Sequence, residues 1–530
     1  MSATSTPTGH SSAISGSHCR SRHRSRRLKY LHLGLAVLFL FVTSLAMAQA
    51  ARNAATVGQW QILPNTLPLN PVHAAVMHNG KVLMVDASTT SNLLAAVWDP
   101  ATQVATTFPA TYAMFCNGMV VLPDGRPFVI GGTLHFGVPW SGLNKSSAYD
   151  PTAGTFTDQV SMVSGRWYPT GTVLSDGTVM AFSGQDENDN TNSTVEIFTP
   201  NSGTGSWSSP VKASWVPPLY PRMHLLPDGR IFYSGPSATS KFYDLTTKTW
   251  TNCCTTNFGS KRTQSTSVLL PLRPGNSYKP RIMIMGGSSS ESTTAATNTT
   301  ETIDLSLSTP KWVYGPNMSQ PRIHLNSTIL PNGTILVAGG EQWSENTSTA
   351  SLNAELFHPD FADPNFNTFT SAGANSVPRA YHSNAILLPD ATVILTGSNP
   401  PNVPYENRVE LYQPAYLFKA DGTLATRPVI SSVPTGSIGY NTTFTVQSPD
   451  ASKILKVVLI RPGSPTHAFD MEQRLVGLTF TSTQTGSLTV TSPPNAQIAP
   501  PGYYMLFILN KAGVPSLAQF VQLCPATGCL

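Results

Sequence analysis

AMFCNGMVVLPDGRPFVIGG, residues 113–132, holds one hairpin: an apolar strand, a Pro-Asp-Gly turn, and a returning strand that ends on two glycines. Polar, Gly-bearing turns supply the positive φ that tight hairpins need, and Val- and Ile-rich flanks favour strands. The returning strand recurs along the chain as VLMVDAS (82–88), FVIGG (128–132), VMAFSG (179–184), IFYSG (231–235), IMIMGG (282–287), ILVAGG (335–340) and VILTGS (393–398). A spacing of roughly 45 to 58 residues is that of four-stranded propeller blades. Segments such as AAVWDP (95–100), SAYDP (147–151), KFYDL (241–245) and AELFHP (354–359) fall between the glycine marks and read as outer strands. The expectation is an all-β chain with a seven-bladed propeller over residues 51–424. From RPVISSVP (427–434) onward the glycine rhythm stops. Short alternating strands (TFTVQ, KVVLIRP, VGLTFTST, SLTVTSP, YYMLFILN) then predict an immunoglobulin-like β-sandwich over 425–530.

Only 11% of the 530 residues are charged, well below the usual quarter, as in secreted β-proteins. The formal net charge of +5 is misleading, because residues 1–50 hold six Lys and Arg and no acid. The rest of the chain is balanced to within one charge, so nucleic-acid binding has no electrostatic support. Basic residues ahead of an apolar run, Leu33 to Leu45, and the small-residue stretch AMAQA (46–50) read as a secretory signal peptide or, if retained, an anchor at the cell surface. Removing it takes Cys19 and leaves five cysteines. Cys524 and Cys529 are close enough to bridge. The adjacent Cys253 and Cys254 form either a vicinal bridge or two separate partnerships. If both pairs close, Cys116 is left over, and a lone thiol in an oxidising compartment needs a use or a shield.

Counting back nine positions from each turn-closing residue gives that cysteine its place. From Gly125 the count lands on Cys116, from Gly177 on Tyr168, from Gly229 on Tyr220, from Gly333 on His324, and from Ala391 on His382 with Tyr381 beside it. If the hairpins are equivalent elements of a ring, these side chains share one axis. Imidazole and phenolate together suit Cu(II), and a bound cation brings phenolate within reach at neutral pH. Arg166, Arg222, Arg322 and Arg379 lie near the starts of the same inner strands, where bonds between blades are their expected role. Carboxylate pairs do not recur at the axial offsets, which argues against a glycosidase.

Four segments carry a resemblance: AMFCNGMVVLPDG (113–125), GRWYPTGTVLSDG (165–177), PRAYHSNAILLPD (378–390) and LIRPGSPTHAFDMEQR (459–474). Together, in this order, they make the chain similar to the copper-radical oxidases, the group of galactose oxidase and glyoxal oxidase, with a kelch-type propeller. The resemblance implies one copper ion and a protein-derived radical. Tyr168 would be a copper ligand joined through a thioether to Cys116, His382 and His467 the imidazole ligands, and Tyr381 the axial tyrosine that accepts the substrate's hydroxyl proton. Trp167 would shield the radical; Tyr220, His324 and Arg262 are candidate pocket residues. The substrates implied are small aldehydes or primary alcohols with O2, giving H2O2 for use by downstream peroxidases. Galactose oxidase covers its radical tyrosine with a tryptophan from the loop that here reads SGQDENDN (183–190), without Trp. The first blade also begins soon after the leader, leaving no room for that enzyme's sugar-binding domain. Both departures favour the glyoxal oxidase branch. The alternatives are a galactose or alcohol oxidase on the same site, and a kelch-type binding propeller without turnover.

Overall fold

The computed structural model of the protein describes residues 53–86, 93–290, 294–399, 404–482, 486–525 and 528–529. The leader and Cys19, with the secretion reading that rests on them, lie outside these residues. Seven antiparallel sheets, each on a four-strand path, stand around an axis with their first strands innermost. The second blade is typical: Gly118–Val121, Pro127–Ile130, Ser146–Asp150 and Thr155–Asp158. Its two inner strands are buried at every position, while its outermost strand is largely exposed. The core therefore lies between blade faces: Ala75, Leu83 and Val85 of the first blade pack on Met119, Val121 and Val129 of the second. The ring closes through Gln59–Thr66, which forms the outer strand of the seventh blade, Gln59 pairing with Gln413 and Ile62 with Glu410.

The Gly-Gly marks have a steric cause. Gly131 has φ +72°, and a Cβ there would lie 2.1 Å from the carbonyl oxygen of Arg166, where the next blade begins; at Gly286 the distance to the Arg322 oxygen would be 2.4 Å. Only glycine fits where consecutive blades come this close.

At three of these starts the arginine holds its own blade together rather than joining a neighbour, which corrects the sequence expectation, while Arg222 bears it out. Arg166 pairs with Glu196 at 2.7 Å, Arg322 with Glu355 at 3.0 Å and Arg379 with Glu410 at 3.3 Å, each glutamate on the third strand of the same blade. Arg262 belongs to this set, pairing with Glu301 at 3.1 Å. It staples its blade and does not line the cavity that opens onto Tyr168. A second guanidinium nitrogen donates to the carbonyl at the end of the second strand, at Ser183, Gly286, Gly339 or Gly397. The carboxylates also accept N–H bonds from the segment leading into the blade, for example Val163 and Ser376. The fourth blade lacks both partners: Pro218 and Lys241 stand at the corresponding positions. Its Arg222 lies on the far side of the axial residue and donates to Ser265 of the next blade at 2.9 Å. Because these pairs are desolvated, removing one member strands the other. Arg379→Ala is expected to destabilise the fold by about 3–5 kcal/mol, read as a fall in unfolding temperature, with Arg379→Lys falling between.

Beyond the ring, a four-stranded sheet (Arg474–Leu478, Ile454–Arg461, Gly502–Asn510, Gln519–Leu523) faces a three-stranded one (Thr443–Gln447, Ser487–Thr491, Phe480–Ser482). Cys524 and Cys529, close enough in sequence to bridge, are disulfide-bonded. The loop from Arg461 to Arg474 enters the axial channel of the ring. There the innermost strands present backbone groups with no strand beyond them, and buried backbone groups need partners. The loop supplies them. Gly463 and Pro465 accept from Val76 and Ala74 of the first blade. Arg461 donates to Val121 of the second blade and Arg474 to Leu225 of the fourth. Gln473 donates to Ser327 of the sixth at 2.7 Å and accepts from Ile329 at 2.9 Å. His467 rides at the tip of this plug.

Candidate active site

Each axial residue has left-handed backbone: Cys116 φ 58°, Tyr168 65°, Tyr220 46°, Gln264 53°, His324 53° and His382 62°. Such a conformation costs a non-glycine residue of order 1–3 kcal/mol and clusters at functional sites. Here it turns the side chain toward the channel, and backbone bonds from blade to blade hold it, Tyr168 N–H to Cys116 and Tyr220 N–H to Tyr168, both 2.9 Å. Gln264 escaped the sequence count because the fifth blade replaces its Pro-Asp-Gly turn with the longer PLRPGNSYKP (271–280). The arginine two places earlier, as in Arg166-Trp167-Tyr168 and Arg322-Ile323-His324, was the signal that could have found it.

The structure brings Cys116, Tyr168, Tyr381, His382 and His467 together. Nε2 of His382 and Nε2 of His467 face each other at 2.9 Å, and the Cys116 sulfur is 3.6 Å from the latter. The hydroxyls of Tyr168 and Tyr381 touch. The hydrogen bonds fix both imidazole tautomers. Nδ1–H of His382 donates to the Asn399 amide oxygen. Thr466 spends its hydroxyl proton on the Val72 carbonyl at 2.9 Å, so its oxygen accepts from Nδ1–H of His467 at 2.6 Å. Both Nε2 lone pairs therefore point at one spot, an arrangement that repels unless a cation lies between them. Burial holds both rings neutral, His382 pushed down to about 3 and His467 well below its ordinary value, the latter also by neighbouring His382. Burial likewise pushes the phenol of Tyr168 and the thiol of Cys116 well above their usual ranges. The site is thus neutral by itself, and a cation is what would ionise its phenols. Two imidazole nitrogens and two phenol oxygens, with no carboxylate among them, form a donor set that fits copper. Because outer partners orient ligating imidazoles, Asn399→Ala is expected to lower copper affinity about 10–100-fold; competition with a chelator of known strength measures it.

The remaining candidates occupy three different positions. Trp167 stacks on Tyr168 with centroids 3.9 Å apart and planes within 10°, and Tyr220 stacks on the opposite face at 4.4 Å. Trp140 lies over Trp167 at 5.0 Å. The cover that SGQDENDN lacks is therefore built from the residue preceding Tyr168, backed by a second indole. Trp140 comes from the excursion between the second and third strands of the second blade, whose path the sequence does not reveal. Tyr220 lines the cavity but donates its hydroxyl to the Asn117 carbonyl at 2.9 Å, away from the converging donors. His324 sits beside Tyr381, 4.8 Å between centroids, with Nδ1 bound to Glu341 at 2.5 Å.

A cavity of about 590 Å³ opens onto Tyr168, Tyr381, His382 and His467. Phe115, Trp140 and Trp167 give it aromatic walls, and Arg222, Lys261 and Glu345 bring charge to it. The Arg222 guanidinium lies 4.4 Å from the Phe469 ring centroid.

Comparison with known proteins identifies the family. Residues 95–416 match the family described as glyoxal oxidase N-terminus, and 427–523 the galactose oxidase-like early set domain. Galactose oxidase of Gibberella zeae is 28% identical over 490 residues, covering 86% of this chain and 69% of that protein. The aldehyde oxidase GLOX of Vitis pseudoreticulata is 31% identical over 450 residues, 78% and 82% of the two chains. A solved fungal alcohol oxidase in complex with copper has a TM-score of 0.76 at 26% identity, across 88% of this chain and all of that one. The chain belongs to the glyoxal oxidase and galactose oxidase family of copper-radical oxidases, and it is a copper-dependent oxidase.

Proposed function

We propose that the enzyme oxidises small aldehydes, taken as their hydrates, to carboxylic acids, or primary alcohols to aldehydes, reducing O2 to H2O2. The observation that carries this is the convergence of the His382 and His467 lone pairs with the Tyr168 and Tyr381 hydroxyls under the Trp167 stack. His382, His467, Tyr168 and Tyr381 would hold the metal, with Cys116 bonded through sulfur to the Tyr168 ring. Bound copper supplies a one-electron acceptor and ionises the phenols. The ring of Tyr168, with the Cys116 sulfur attached, accepts the second electron that removal of a C–H hydrogen requires. Tyr381, which stacks on His382 with centroids 3.8 Å apart, takes the substrate's hydroxyl proton at its phenolate oxygen. The Tyr168 oxygen, touching that of Tyr381, receives the hydrogen from carbon. Oxidation of the hydrate yields two electrons and two protons, and dioxygen takes both to become hydrogen peroxide. Trp167, Trp140 and Tyr220 exclude water from the faces of the oxidised ring. The cavity of about 590 Å³ has aromatic walls and admits a small aldehyde hydrate or a primary alcohol, so the substrate panel decides between them.

The leader over residues 1–50 supports an activity outside the cell, secreted or, if the leader is retained, at the cell surface, where peroxidases would use the peroxide. We assign the propeller to 51–424 and the sandwich to 425–530. Peptide mapping before and after aerobic copper loading tests the centre of the reading. A Cys116–Tyr168 linked peptide that resists reduction and appears only with copper is expected, followed by peroxide release with a panel of aldehydes and alcohols. Alkylation of Cys116 in the copper-loaded protein, with no linked peptide, refutes it.

A further inference from the structure

Cys253 and Cys254 lie far from the copper site, on the edge strand Thr249–Thr255 of the fourth blade. Adjacent residues of a regular strand point to opposite faces, which would separate the two sulfurs. Here the register breaks: Ser240 pairs with Cys254, whereas Lys241 pairs with Asn252, leaving Cys253 as the unpaired residue of a β-bulge. A bulge re-aims a side chain and is a built feature of a sheet. This one brings the two sulfurs to 2.7 Å. Both are half-buried against the cluster shared by the fourth and fifth blades and the C-terminal sandwich, which hinders pairing with another chain. Within the described residues the other cysteines are committed, Cys524 to Cys529 and Cys116 to the axis.

We propose that Cys253 and Cys254 form an oxidation site that passes from a dithiol to a vicinal disulfide, with hydrogen peroxide as the oxidant. The sulfur of Cys253 attacks one peroxide oxygen. The O–O bond breaks, water leaves, and a sulfenic acid remains. The sulfur of Cys254 then displaces that hydroxyl, forming the S–S bond and releasing a second water. Both electrons taken by peroxide come from the sulfur pair, and both thiol protons end in water. The order follows from the surroundings: contact with Cys254 and the Arg230 charge lower the Cys253 thiol, while contact with Cys253 and burial raise Cys254. A resolving neighbour this close captures the sulfenic acid before it climbs to the irreversible sulfinic and sulfonic acids. A polar acid at this seam would also disrupt apolar packing. The pair therefore lets the blade face survive the product proposed above, and rests on that reading only for where peroxide arises.

The test uses the full chain, copper-loaded, and in parallel its Tyr168→Phe variant, so that failure of the oxidase reading leaves this one intact. The reduced proteins receive added hydrogen peroxide, are alkylated without reductant, and are mapped through the tryptic peptide Thr249–Lys261. Closure is expected in both: the peptide loses the mass of two hydrogens, refuses alkylation until reduced, and carries no sulfinic or sulfonic acid. In Cys254→Ser, Cys253 is expected to trap a sulfenic-acid reagent and then over-oxidise. Alkylation of both cysteines after peroxide, over-oxidation in the unmodified chain, or a disulfide from either sulfur to any other cysteine overturns the proposal.

Discussion

Cys116→Ala is expected to lower turnover by at least about 10³-fold while leaving a folded, copper-binding protein. In the proposed cofactor, sulfur attached to the Tyr168 ring would spread the unpaired electron and lower the potential at which the ring is oxidised. A one-electron shift of about 0.2 V is worth a factor of ~10³, and about 4 kcal/mol of barrier. The structural cost is small, because Cys116 is a fully buried small side chain with no strong hydrogen bond to lose, and truncating a side chain of this size costs on the order of 1 kcal/mol. Peroxide release, copper content and unfolding temperature, measured on one preparation, separate the two effects. Activity near that of the unmodified enzyme in the alanine variant would show that the sulfur is only packing.

Tyr381→Phe should act differently. Loss of a positioned base typically costs 10²–10⁴-fold in rate, and the fall should lie in kcat rather than KM, because the ring stays in place against His382 and His324. The linked Cys116–Tyr168 peptide should still form, since both its members remain. If the variant instead lacks the link, Tyr381 serves in building the cofactor and not only in using it. An unchanged kcat would remove it from the proton path.

The fold was legible because one hairpin recurs with its steric requirements written out. Each Gly-Gly mark is a contact too close for a Cβ, as at Gly131 and Gly286, so the spacing of glycines is the spacing of blades. The axial offset was legible for the same reason, and five strands obeyed it. It failed in the fifth blade, where the turn lengthens and Gln264 is displaced from the count. The arginines misled because a residue type names an ion but not its partner. Only the fold places Glu196, Glu355 and Glu410 beside Arg166, Arg322 and Arg379 within one sheet. Arg262 belongs to that set, while Arg222, which resembles them in sequence, is the one turned to the cavity. Trp140 was out of reach for a different reason. Its position depends on an irregular excursion, not on any period, and tertiary contacts alone bring it over Trp167.

The plug that carries His467 also sets a timetable. Cys116 and His467 are 351 residues apart in sequence, and a ribosome delivers the cysteine long before the histidine. A ring without the plug can display Tyr168, Tyr381, the Cys116 thiol and the His382 imidazole, but not the full donor set. That set exists only after the following sheet has formed and its loop has threaded the axis. The proposed metal site is thereby completed only at the last stage of folding, and a ring that lacks its plug is one imidazole short.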